Sequence, residues 1–232
     1  TIMKISVIIP AYNDAKVLEK ALTALNAQKG EEFEVVVVDD GSTDNTVDVL
    51  LDWQKKALRQ FDFKFVSQDN KKQGAARNRG VKEASGDILI FIGADILVRP
   101  GFIKEHRRFH KELPAAYAMA LGHMTWAEEL SKDRFRRWLE SSGLMLSYKG
   151  LVNMEETDFW HFYTGNISMK REFFENYWFD EDFDSYGWED IMLGRKMLAD
   201  GGKLYYLEAA KAYHDHALTE RDLFPDRMRE IG

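Results

Sequence analysis

The 232-residue chain contains no cysteine and only 4 prolines. The first absence excludes disulfides, thiolate metal sites and a cysteine nucleophile, and it leaves a reducing compartment open. No apolar run reaches the roughly 18–20 residues of a membrane span, and the apolar part of TIMKISVIIP is too short for a secretory signal. The sequence therefore reads as soluble and cytoplasmic, with peripheral association to a membrane left open. Basic residues are also in deficit. The 32 Lys and Arg face 39 Asp and Glu, and a net charge of −7 is the wrong sign for nucleic acid as a bulk partner. A small phosphorylated ligand held through a metal stays compatible. Internal repeats and low-complexity linkers are missing too.

What is present suits one compact domain: 45% of residues are hydrophobic and 31% charged. Ile5 to Ile9 forms an apolar run stopped by Pro10, and Leu18, Ala21, Leu22 and Leu25 follow at helical spacing. Val35 to Val38 is wholly β-branched, the mark of a strand buried on both faces. Gly41, Ser42 and Asp44 spell a turn with a helix cap, ahead of Thr46, Leu50, Trp53 and Ala57 on one helical face. Phe63 to Val66 reads as a third strand, Ala75 to Ala84 as a helix closed by Gly86, and Ile88 to Ile92 as a fourth strand. Repeated βαβ units predict an α/β fold with a mostly parallel sheet and helices on both faces. Beyond residue 100 the texture changes. Helices are expected over 100–111 and 190–199 and strands over 117–121, 167–170 and 204–207, while 127–163 carries no periodic signal.

In such a sheet, ligands bind beyond the carboxyl ends of the strands. Tyr12, Asn13 and Asp14 follow the first strand, Asp39 and Asp40 the second, residues 70–77 the third, and Asp95 the fourth. Clustered carboxylates repel unless a cation or donor joins them. The glycine-rich phosphate loops are absent, so a bound nucleotide would need carboxylates for its base or ribose and a divalent cation, Mn²⁺ or Mg²⁺, for its phosphates. His106, His110, His123 and His161 lack metal-ligand spacing and read as core or surface residues. His214 and His216 differ: in an extended segment they share one face, and either could reach a metal.

The segments ISVIIPAYNDAKVLEKAL, VVVVDDGSTDNT and GAARNRGVKEASGDILIFIGADIL resemble family 2 glycosyltransferases of the GT-A fold. The segment TGNISMKREFFENYWFDEDFDSYGWEDIMLGRKM is similar to the acceptor-side part of galactosyltransferase-like and chondroitin-polymerase-like enzymes. The resemblance implies one GT-A domain over 1–232, with a nucleotide-sugar half in 1–99 and an acceptor half in 100–232. It implies donor contacts from Pro10, Ala11, Tyr12, Asp14, Asp40, Gly74, Arg77, Ala94 and Asp95. Asp40 would accept from the uracil ring, whose N3 is a donor, while Asp39 holds the loop.

Asp95 ends what is usually a D-x-D motif and would hold the metal on the donor diphosphate; the first position is Gly93 here. By the same resemblance, His214 would supply a further metal ligand. Asp190 would be the general base of an inverting transfer, with Glu189 orienting the acceptor. Trp188, Tyr186, Gly165 and Asn166 would line the acceptor site. The implied activity is metal-dependent transfer from a nucleotide sugar, UDP-linked, to a saccharide or glycoconjugate hydroxyl. A non-catalytic sugar-nucleotide-binding domain, suggested by Gly93, is the alternative. A nucleotidyltransferase is disfavoured by the missing glycine- and arginine-rich loop near the N-terminus.

Overall fold

The computed structural model describes residues 3–142, 145, 147–183 and 188–216. The first part runs β1 (Ile5–Ala11), α1 (Ala15–Asn26), β2 (Glu34–Asp39), α2 (Thr46–Lys55), β3 (Asp62–Ser67), α3 (Lys72–Glu83), β4 (Ile88–Ile92) and β5 (Ile96–Val98). It continues through α4 (Phe102–Glu112), β6 (Ala118–Trp126), α5 (Glu128–Ser131), α6 (Arg134–Ser142), β7 (Glu156–Thr157) and a 3-10 turn (Phe159–His161). The chain then forms β8 (Asn166–Lys170), α7 (Arg171–Phe174), α8 (Glu189–Ala199) and β9 (Lys203–His214).

All nine described strands join one sheet in the order β3-β2-β1-β4-β8-β6-β9-β5, with β7 pairing β9 off this path. The βαβ portion is parallel, as its alternation predicts: β1 pairs in parallel with β2 and β4, and β2 with β3. The later strands mix directions. β8 runs antiparallel to both β4 and β6, β6 and β9 are parallel, and β5 is antiparallel to β9.

Each face of the sheet carries its own core. Val7, Ile9, Val35, Val37, Ile90 and Ile92 face α1, α2 and α4, meeting Leu18, Leu22, Leu50, Trp53, Phe102 and Phe109. Ile8, Leu89 and Phe91 face the other way, toward Val81, Phe174, Leu193 and Met197. The strict alternation of period two therefore divides a continuous apolar run between two layers.

Three local expectations are corrected. Pro10 does not stop β1; it pairs with Val38 and lies past the last β4 pair, Ile8 with Phe91, so its missing N–H costs no ladder bond on that side. Ala57 is exposed beyond the end of α2, which Lys56 closes in an extended conformation. Gly86 does not close α3 either: Ala84 does, while Gly86 lies against Ser6, to whose Oγ it donates at 2.7 Å. The unassigned 127–163 stretch holds short elements whose order depends on tertiary contacts, such as the Trp126–Leu139 cluster.

Phe91 links the βαβ portion to the second half of the chain. Fully buried, it packs on Phe174 and Phe179 with ring centroids 5.4 and 5.8 Å away. Phe91→Ala is expected to cost about 3–5 kcal/mol in urea unfolding, the usual range for emptying a core aromatic site.

Candidate active site

The loops after β1 and β2 are bound to each other by side chains that bond to main chain. Asn13 Oδ1 accepts from the Thr43 N–H at 2.7 Å and the Asp44 N–H at 3.2 Å, and the Asp14 N–H donates to Thr46 Oγ1 at 3.0 Å. Asp14 Oδ2 turns back to accept from the Tyr12 N–H at 3.0 Å, leaving the Tyr12 ring half exposed over the rim. Asp39 Oδ1 accepts from the Ser42 N–H at 3.1 Å, the loop-holding role read from the sequence. Asp40 is buried, and its Oδ1 takes two donors, Gln68 Nε2 at 2.7 Å and the Lys71 N–H at 2.9 Å. These bonds fix the Asp40 carboxylate before any ligand arrives. Pro10 and Ala11 are buried strand residues, so their contribution is backbone shape.

Asp95 stands in the β4–β5 turn. A Cβ on Gly93 would lie 2.6 Å from Asp95 Oδ1, so the side chain uses space that a larger residue at 93 would occupy. Its Oδ2 meets His214 Nε2 at 3.1 Å and His216 Nδ1 at 3.4 Å. Burial alone raises its pKa, but the two histidine hydrogen bonds and their charges outweigh that and hold the carboxyl well below the usual range. Asp14 moves the other way, pushed up to about 6 by burial, with the negative charge of Asp95 adding to it.

Among the described residues no three His, Asp or Glu side chains converge as a ready-made cage. The Asp95–His214 pair still fits a divalent ion. Two cis ligands at the usual oxygen distance stand about 3 Å apart in an octahedron, and such ions commonly take one or two protein ligands with substrate phosphates and water completing the shell. His214 Nδ1 is buried without a hydrogen-bond partner among the described residues, so Nε2 is the nitrogen directed at the site.

Register brings the second carboxylate to the same rim. Ile92 pairs with Asn166 across the antiparallel β4–β8 ladder, so the turn carrying Asp95 and the residues just before β8 lie at one edge. Thr164 is among those residues, and both its N–H and its Oγ1 lie 3.5 Å from Asp190 Oδ2. Asp190 Oδ1 also accepts from the Ile191 N–H at 2.8 Å in the first turn of α8. Burial pushes Asp190 up to about 6, helped by the charge of Glu189 and opposed by Arg77. A helix N-terminus would lower a carboxylate; here burial wins without a further closing motion. Trp188 and Trp160, both half exposed, meet edge to face at 6.5 Å beside this helix start.

Several residues expected at the ligand are engaged within the chain. Arg77 is buried and donates from Nη1 to Glu189 Oε1 at 2.9 Å and from Nη2 to Gln73 Oε1 at 2.8 Å. Glu189 is likewise engaged in that pair, and its charge raises the pKa of the neighbouring Asp190. Gly74 is a close-packing position, since a Cβ there would lie 3.2 Å from Phe179 Cβ. Gly165 is another, with Met124 Sδ at 3.0 Å from such an atom, and Ala94 joins the core. Asn166 is completely buried and cannot touch an acceptor. Tyr186 lies outside the described residues. His106 and His110 are core residues, His123 meets the Tyr206 hydroxyl and His161 meets Asp158, none of them grouped as ligands. Sequence reading missed Gln68, Thr164 and Trp160; the first two are ordinary polar residues, and the third lies in a stretch without periodicity.

The family model described as Glycosyl transferase family 2 matches residues 6–178. A validoxylamine A glucosyltransferase from Streptomyces hygroscopicus subsp. jinggangensis is 32% identical over 85% of this chain and 52% of its own length. A chondroitin synthase from Pasteurella multocida is 26% identical over 90% of this chain and 24% of its own. The chain thus spans about half or less of these relatives. Staphylococcus aureus TarS 1-349 in complex with UDP-GlcNAc superposes with a TM-score of 0.71 at 22% identity, over 96% of this chain and 61% of that one. A mannosyltransferase from Pyrobaculum calidifontis in complex with GDP-Man and Mn²⁺ gives 0.68 at 21% identity, over 97% and 60%. At such identities the structural likeness speaks for the GT-A fold alone. The family match over most of the chain shows that it belongs to glycosyl transferase family 2.

Proposed function

We propose that the protein transfers a sugar from a nucleotide diphosphate donor, UDP-linked, to a saccharide or glycoconjugate hydroxyl with inversion at the anomeric carbon. The observation that carries this reading is the shared rim: Asp95 with His214 and Asp190 with Thr164 stand at one edge of one sheet, joined by the Ile92–Asn166 register. Asp40 and Tyr12 suit the base and ribose of the donor. Asp95 and His214 would hold Mn²⁺ or Mg²⁺, which when bound supplies positive charge against the departing diphosphate. Trp188 and Trp160 offer flat apolar faces for a sugar ring. Asp190 takes the proton of the acceptor hydroxyl as that oxygen bonds to the anomeric carbon and the carbon–oxygen bond to the diphosphate breaks. Arg77 and Glu189 act on this step through Asp190: the guanidinium lowers its pKa and the carboxylate raises it.

The deciding assay incubates the protein with a panel of nucleotide sugars, Mn²⁺ or Mg²⁺ and simple acceptors, and measures nucleotide release. Metal-dependent release that needs an acceptor and vanishes in Asp190→Asn is expected. Binding without turnover under every condition would favour the sugar-nucleotide-binding alternative.

The acid limb of kcat/KM should fall about tenfold per pH unit below a midpoint near 6, because only ionised Asp190 can accept a proton. Stability carries the opposite sign. Folded Asp190 keeps a proton that the unfolded chain releases between its ordinary value and about 6, so its contribution declines as pH rises through that window. Asp190→Asn is therefore expected to be inactive yet more stable at pH 7, on the order of 2 kcal/mol in chemical denaturation.

Arg77→Met removes the charge that lowers Asp190. Its pH–rate midpoint should move upward, and the loss of the partner of a buried carboxylate should cost about 3 kcal/mol by thermal unfolding. An unmoved midpoint would sever Arg77 from the base. His214→Ala should raise the Mn²⁺ concentration for half-maximal activity at least about tenfold, a common loss at metal sites. An unchanged metal titration refutes that ligand.

A further inference from the structure

The β6–β9 ladder contains a break. Gly122 pairs with Leu207 but the next residue, His123, pairs with Lys211, so residues 208, 209 and 210 are extra on β9. An odd insertion inverts side-chain parity in a strand. Leu207 and Ala212, five residues apart, accordingly belong to the same core cluster, which an unbroken strand would forbid. His214, paired with both Trp126 and Ile96, inherits its facing from this break.

One side chain holds the break from two strands away. Asn166, on β8, extends over β6 at Gly122, where a Cβ would collide with its amide. Beyond that gap its Nδ2 donates to Ala210 O inside the bulge at 2.9 Å and to His123 O at its edge at 3.4 Å. Its Oδ1 faces His106 Nε2 at 3.1 Å. Ser168 Oγ meets His106 Nδ1 at 2.8 Å and His110 Nε2 at 2.9 Å. Burial pushes His106 down to about 4 and His110 to about 3, so both rings are neutral. With neutral rings one direction satisfies the chain: His110 donates to Ser168, Ser168 to His106, His106 to Asn166, and Asn166 to the bulge carbonyls. The amide cannot flip without setting two donors or two acceptors against each other.

We propose that Asn166 is a positioning residue for metal binding: it clamps the three-residue bulge of β9 and so fixes the face on which His214 meets Asp95. This rests on the reading of Asp95 and His214 as the metal-binding pair. Gly122 is its necessary companion, because only glycine leaves the amide a path to β9.

The test uses Asn166→Ala, which removes the clamp, and Gly122→Ala, which blocks its path while keeping the amide. Mn²⁺ affinity is measured by electron paramagnetic resonance with UDP present, beside circular dichroism melts. The His214 ring resonance, identified by its loss in His214→Ala, is followed by proton NMR without metal. Folded variants should bind Mn²⁺ at least about tenfold more weakly and show a displaced His214 resonance. Wild-type affinity with an unmoved resonance overturns the proposal. Failure of both variants to fold also overturns it, by making the clamp a general stability element. If the wild type binds no Mn²⁺, the metal reading falls, and the His214 resonance alone decides whether Asn166 positions that ring.

Discussion

The buried ion pair between Arg77 and Glu189 is the contact on which the site's arrangement depends. It joins α3, from the βαβ portion, to the start of α8, more than a hundred residues later, with both side chains under 10% exposed. The guanidinium also lies over the Phe179 ring at 5.4 Å. Such a pair adds little net stability, because removing two charges from water offsets their attraction. What it fixes is alignment. A shift of α8 along α3 would leave a buried charge uncompensated, so the helix that carries Asp190 has one low-energy seat.

Two carboxylates at the same rim are thereby held in contrasting states. Asp95 meets two histidines, which hold its carboxyl well below the usual range. Asp190 takes one close donor, the Ile191 N–H at 2.8 Å, and two long ones from Thr164 at 3.5 Å, and desolvation with the charge of Glu189 pushes it up to about 6. Divergence of this kind between like groups separates an electrostatic anchor from an acid–base residue. The residue type is the same in both places, and only the surroundings set the two apart.

The sequence made the βαβ portion legible because its information is local. Four apolar runs, one helix at clear spacing and acids at the strand ends define the parallel sheet, and Asp40, Asp95, Asp190 and His214 all fall on its rim. The engagements that the sequence did not reveal have a common physical source as well. Arg77, Gly74, Gly165 and Asn166 look like ligand contacts in the sequence, yet each faces another part of the chain. A sequence does not say whether a polar or small residue looks outward or across. The bulge in β9 was hidden for the same reason. Residues 203–214 carry no glycine or proline to mark it, and the amide that bonds into it, that of Asn166, lies two strands away.

The antiparallel β4–β8 ladder also constrains how the two parts of the chain can move relative to each other. Enzymes with substrates in separate lobes close by rotating one lobe on a hinge, usually a few loop residues. Here the strands that deliver Asp95 and Thr164 are hydrogen-bonded to each other through five residue pairs. Rotation about that boundary would tear a ladder at the centre of the sheet. Movement that keeps this ladder is confined to the side chains and connections above the strand ends. The separation of the β4–β5 turn from the residues before β8 is set by strand pairing alone.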